Sequence, residues 1–236
     1  MIDAVLAFLI VAGGSCLQGA VGFGVSLVAA PLLVLVDDSF VPAPLIIVTS
    51  FLNLLVMRRE GGGAVDPAIS QAIAGQITGA LAAGAVIASL PTRSLSLLFA
   101  GCVLAAVALS ASGLHPRPTR TTLLAAGAAS GFMGTVSGIG GPPIALVYQR
   151  APSAMLRATL ARYFLVGTMV TIPTLFVVGE LGTDELLASA VLAVGVVAGF
   201  LASKPLVHRL DQRSVRPVVL VLSAVAAVAV LVRELA

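Results

Sequence analysis

Eight apolar stretches, at about 4–36, 41–57, 68–90, 95–114, 121–149, 159–178, 185–203 and 215–232, make up most of the chain, with short polar joints between them. A helix rises about 1.5 Å per residue, so roughly 17–25 residues cross a bilayer, and six of the stretches suit one crossing. The first and fifth, at 33 and 29 residues, exceed one crossing and fall short of two. Each carries a glycine cluster near its middle, GAVGFGVSLV from Gly19 to Val28 and GTVSGIGGPP from Gly134 to Pro143. The pattern predicts a re-entrant hairpin for each, two half-helices of roughly 11–15 residues joined by a glycine turn that enter and leave on one face of the membrane.

Charge placement separates this arrangement from eight plain crossings, because loops facing the cytoplasm collect Lys and Arg. Eight crossings divide the thirteen basic residues five against eight, whichever way the chain is oriented. Two hairpins with an outside N-terminus put eleven of the thirteen inside, leaving only Arg93 and Arg233 outside. Both termini are therefore expected outside. The opening MIDAVLAFLIVAGG lacks the basic start of a cleavable signal and reads as the first membrane element.

Composition agrees. Of 236 residues, 59% are apolar and 10% charged, and the mean hydropathy is +1.12, which leaves too few polar side chains to cover a water-soluble surface. The net charge of +3 reports topology before it reports a partner, and no nucleic-acid partner is expected. Cys16 and Cys102 lie in apolar stretches without metal-ligand spacing and read as small packing residues. Neither glycine cluster has the Lys or the strand context of a nucleotide loop, and no cofactor is called for.

A shift of 116 residues superposes Gly22 on Gly138, Gly24 on Gly140, Gly63 on Gly179 and Gly79 on Gly195. The chain then divides into repeats at about 1–114 and 117–236 within one transmembrane domain, each a hairpin plus three crossings. An odd number of crossings inserts the second repeat upside down, the inverted-topology architecture of many secondary transporters. Unwound backbone at bilayer depth survives only where protein or a water-filled cavity satisfies it, so the turns must line something. Free N–H groups and positive helix ends at residues 24–27 and 140–144 would converge near the midplane as an anion site without a buried cation. Pro142 and Pro143 suit the first turn of the second half-helix.

The polar side chains at membrane depth are Gln18, Ser26, Thr49, Ser50, Asn53, Gln76, Ser137, Tyr148, Thr168 and Thr171. Most Ser and Thr bond back to their own helix. Gln18, Ser26, Asn53, Gln76 and Ser137 are the favoured donors to an anion, together with Gly22, Gly24, Gly138, Gly140 and Gly141 of the turns. Arg162, near the start of the sixth stretch, could snorkel to the interface or reach the substrate. No Asp, Glu, Lys or His lies deep in an apolar stretch, and no nucleophile, base and ligand constellation assembles, so an enzyme is not expected. An exported anion needs no carboxylate relay, since the membrane potential supplies about 2.3 kcal/mol per charge per 100 mV.

GAVGFGVSLVAAPLLVL and SGIGGPPIALVY resemble the two signatures of the TauE/SafE family of sulfite and organosulfur-anion exporters, and TSFLN and LRATLARYF resemble the segments that follow them. The resemblance covers nearly the whole chain, with Val25 where a third glycine often stands in the family. It implies transport of sulfite, a sulfonate such as sulfoacetate, or a related small anion across a bacterial inner membrane. Matching positions make Gly22, Gly24, Ser137, Gly138, Gly140, Gly141, Pro142 and Pro143 the signature residues. An anion channel with the same hairpins as its filter is the rival reading, and a non-transporting scaffold is a more distant one. Small apolar faces such as AGAVIASL could pack within one chain or between two, so a homodimer stays open.

Overall fold

Inside hydrocarbon every backbone N–H and C=O must find its partner within the chain, and the apolar stretches answer this by forming helices. The computed structural model describes residues 2–21, 24–61 and 65–206, with positions 221, 223–226, 228–229 and 232 beyond them. Among the described residues the helices are α1 (Ile2–Val21), α2 (Val25–Val36), α3 (Ala43–Arg59), α4 (Ile69–Ser89), α5 (Thr92–Ala111), α6 (Arg120–Ser137), α7 (Gly141–Tyr148), α8 (Ser153–Val177) and α9 (Thr183–Ser203). No strand occurs among them. Five of these helices, α1, α4, α5, α8 and α9, are long and apolar enough to cross a membrane. Val5, Leu9, Leu81, Met169, Val177, Leu187 and Val194 are each more than half exposed, an outer surface suited to lipid rather than water. The protein is an all-helical, multi-pass membrane protein.

The two overlong stretches do break at their glycines, but the arms are unequal. The first yields helices of 20 and 12 residues, the second helices of 18 and 8. The first arms run uninterrupted from their polar starts, the later one opened by a capping box in which Thr119 accepts from the Thr122 N–H. The second arms are cut short by other residues. Asp37 turns extended and returns its N–H to the Leu33 carbonyl after α2, and Pro152 follows the turn after α7. At each break the chain passes through a left-handed glycine, Gly24 at φ 117° and Gly138 at φ 72°, a conformation that other residues adopt only with strain.

Packing follows a pattern that recurs in the two halves. α1 lies along α9 as α6 lies along α4; α3 contacts α9 as α8 contacts α4; α2 folds against α1 as α7 folds against α6; and α3 and α8 meet between the two groups. The α4–α6 contact is backbone on backbone. A Cβ on Gly75 or Gly79 would come 2.1 or 2.0 Å from the carbonyl oxygens of Leu124 and Ala128, and one on Gly127 or Gly131 would come 2.1 Å from those of Ala72 and Gln76. Two glycine pairs four residues apart thus interlock, as small-residue faces do when no water is present to drive helices together. The eighth apolar stretch lies largely outside the described residues. Within it Ser223 donates to the Leu27 carbonyl at 2.7 Å, which ties that segment to α2.

Candidate functional site

The two glycine breaks meet at one cavity. It has a volume of about 70 Å³ and is lined from the first half by Gln18, Gly24, Ser26, Thr49, Asn53 and Gln76, and from the second by Ser130, Gly138, Gly140, Gly141, Thr168 and Thr171, with Leu27, Ile46, Ile139 and Phe164 as apolar wall. That is room for a ligand of a few heavy atoms. None of its lining residues is charged.

Helix geometry decides what the lining offers. The first N–H groups of a helix have no intrahelical partner. At α2 the fourth, that of Val28, closes onto the Gly24 carbonyl, and the first, that of Val25, donates to Gln18 Oε1 at 3.3 Å. The N–H groups of Ser26 and Leu27 remain at the positive end of the helix. α7 is poorer. Pro142 and Pro143 have no N–H to give, so among its first three positions only Gly141 carries a donor. The sequence predicts converging donors at residues 24–27 and 140–144; in the first three positions of each helix α2 carries three N–H groups and α7 one.

The hydroxyls divide in the same way. Thr49 donates to the Ile46 carbonyl at 3.1 Å, Thr168 to Leu165 at 2.8 Å and Ser130 to Gly140 at 2.5 Å, while Thr171 meets Thr135 at 3.4 Å. Three of these four therefore direct their hydrogen to a backbone carbonyl rather than to the cavity. Ser26 makes no such bond among the described residues. Three amides, Gln18, Asn53 and Gln76, complete the lining. Gln18 Nε2 donates to Asn53 Oδ1 at 2.9 Å. Gln76 is 6% exposed and its Oε1 has no partner. The Gln76 amide packs directly on Gly167, where a Cβ would come 1.9 Å from Gln76 Nε2 and oblige the amide to move.

Of the residues singled out from the sequence, Gln18, Gly24, Ser26, Asn53, Gln76, Gly138, Gly140 and Gly141 line this cavity. Gly22 lies outside the described residues. Ser137 is fully buried behind the cavity, where it donates to Met133 at 2.8 Å and accepts from the Ile139 N–H at 3.4 Å, and so supports the second break. Arg162 is exposed on α8 and does not reach the cavity. The helix begins at Ser153, earlier than its apolar pattern, and the 3.6-residue period turns position 162 outward. Thr49, Thr168, Thr171 and Ser130 also line the cavity; the first three are polar positions in apolar stretches, and Ser130 carries no signal in the sequence beyond lying one helical turn from Gly134.

A second polar cluster ties the helices together beside the end of α3. Arg157 of α8 is 8% exposed and forms a two-pronged pair with Glu60, at 2.8 and 3.1 Å. Arg59 donates to the Gly19 carbonyl of α1 and, at 3.0 Å, to Ser203 of α9. Its guanidinium lies 5.0 Å from the centre of the Phe200 ring. One corner thus joins α1, α3, α8 and α9.

Comparison with known proteins agrees with this architecture. The family described as Sulfite exporter TauE/SafE matches residues 6–230, and the chain belongs to it. No curated protein and no solved structure matches the chain.

Proposed function

Taking membership of the TauE/SafE family as the premise, we propose that this protein carries a small sulfur-containing oxyanion, such as sulfite or a short sulfonate, out of the cytoplasm across a bacterial inner membrane. The anion is held in the cavity between the two glycine breaks, near the bilayer midplane. The observation that carries this reading is an uncharged cavity with the N-terminal end of a twelve-residue helix and three amide side chains at its wall. Such a site stabilises negative charge with oriented dipoles and can still release it, because no buried cation holds the ion fast. Gln76 Oε1 is buried without a partner and calls for a hydrogen-bearing neighbour, so Gln76 serves an anion only through its Nε2.

The packing pattern supports an inverted repeat. A shift of 116 residues carries α1 onto α6, α2 onto α7, α3 onto α8 and α4 onto α9, and the principal contacts of one half map onto those of the other. In this reading each break is the tip of a re-entrant hairpin, both termini face outside, and the pseudo-twofold axis passes between α3 and α8. Alternating access is then a rocking of one group of helices against the other around a fixed site.

The test is thermal unfolding of the detergent-purified protein with sulfite, thiosulfate, sulfate, sulfoacetate, taurine, chloride and small carboxylates. A ligand of the folded state stabilises by mass action, by about 2.7 kcal/mol at a hundredfold excess over Kd. A selective rise with a sulfur oxyanion is expected, followed by saturable flux and counterflow of that ion in proteoliposomes. A flat response across the panel removes the cavity as an anion site. Unsaturated currents faster than a carrier can turn over would identify a channel.

A further inference from the structure

An amide side chain presents either hydrogens or a lone-pair oxygen, and which of the two faces the cavity decides whether that wall attracts or repels an anion. At Asn53 the choice is made two residues away. The Val25 N–H is a donor by construction, and Gln18 meets it with Oε1 at 3.3 Å. That contact leaves Gln18 Nε2 on the opposite prong, where it donates to Asn53 Oδ1 at 2.9 Å. Asn53 Oδ1 is thereby engaged. Nδ2 has no acceptor among the described residues and is not among the buried orphan atoms, while Asn53 lines the cavity. Reversing either amide would set oxygen against oxygen or N–H against N–H at buried side chains, at the cost of an unsatisfied polar contact.

We propose that Gln18 is a positioning residue. It reads the direction of the α2 backbone and transmits it to Asn53, so that Asn53 turns its two N–H groups toward the anion. Gln18 itself gives both ends of its amide to the protein and does not touch the ligand. The relay makes the Asn53 part of the wall a donor to ligand oxygens, across a cavity where the unpartnered Gln76 Oε1 is an acceptor. Gln18 lies on α1, the arm that precedes the break, and Val25 on the arm that follows it, so the relay also spans the break. This inference rests on the cavity being the anion site, and its test separates the two.

The experiment is a double-mutant cycle on Gln18→Met and Asn53→Ala, read as apparent affinity from melting curves titrated with whichever ion of the panel shifts the wild-type protein most. Met keeps the length of Gln18 and removes both of its bonds. Gln18→Met is expected to weaken affinity about tenfold in the wild-type background and to change nothing further in the Asn53→Ala background, because its effect passes through Asn53. If the two factors multiply, Gln18 acts on the anion independently and the relay is wrong. Unchanged affinity in Gln18→Met, with only a lower melting temperature without ligand, makes the residue a packing element and also overturns it. Should Gln18→Met fail to fold, Asn53→Asp takes its place. Its carboxylate still accepts from Gln18 but turns an oxygen to the cavity, so the ligand-free protein is expected to fold and its anion-dependent shift to vanish; a retained shift refutes the assignment. A wild-type protein that answers no anion in the panel ends the cavity reading itself, and the relay with it.

Discussion

At the scale of single residues, the break before α2 depends on a backbone angle more than on space. Gly24 sits at φ 117°, and a Cβ built on it would meet nothing within 4 Å. In the ligand-free protein Gly24→Ala therefore costs conformational strain alone, about 1–3 kcal/mol for a side chain held in such a region. The strain would be relieved by shifting Val25, whose N–H meets Gln18. A lower melting temperature and a weakened response to the bound anion are expected together. Gly13→Ala is the matched control, since that position is helical and equally open. It should leave the anion response unchanged and the melting temperature no lower than wild type in a thermal-shift titration.

Between elements, helix association relies on close approach, because lipid is as apolar as the side chains and offers no hydrophobic drive. The interlock of α4 with α6 is the clearest case. A Cβ on Gly79 would come 2.0 Å from the Ala128 carbonyl oxygen and 2.9 Å from the Phe132 nitrogen, both backbone atoms. Neither can rotate away, so Gly79→Ala must part the helices, at about 1–3 kcal/mol or more by analogy with overpacked cores. Parting them also displaces Gln76, which lies one turn earlier on α4 and lines the cavity. Gly101→Ala on α5, with nothing within 4 Å, should not destabilise the protein. Size-exclusion profiles and melting curves of the two variants check this contrast.

Across the whole molecule, the Glu60 corner joins helices from both halves. Glu60 and Arg157 are nearly buried, with side chains 11% and 10% exposed. Removing one partner of such a pair leaves a charge without compensation, typically at about 3–5 kcal/mol, whereas replacing both with apolar groups is often close to neutral. Glu60→Leu is expected to lower the melting temperature strongly, and adding Arg157→Met to recover most of it. A double variant as unstable as the single one would show that the pair is not what Glu60 contributes. Because Arg59 of the same corner holds the Gly19 carbonyl, one residue after Gln18, the corner and the cavity share the last turn of α1.

Several features of this protein were determined by its sequence alone. Apolar stretches of membrane length, interrupted at two glycine clusters, require helices and helix breaks, because unpaired backbone is not tolerated in hydrocarbon and glycine reaches the needed angles. That is local chemistry, and it sufficed for the all-helical membrane class, for the positions of both breaks and for the family. It also reached Gln18, Asn53 and Gln76, since an amide is costly to bury in an apolar helix without a partner. The lengths of the arms, the inward place of Ser130, the outward turn of Arg162 and the retreat of Ser137 behind the wall were decided only by the tertiary structure. Each depends on which helix lies opposite, a relation between residues far apart in the chain that no local pattern records. The direction of the Asn53 amide belongs to the same class. It is set by a backbone N–H beyond the break, and becomes definite only once α1, α2 and α3 are packed together.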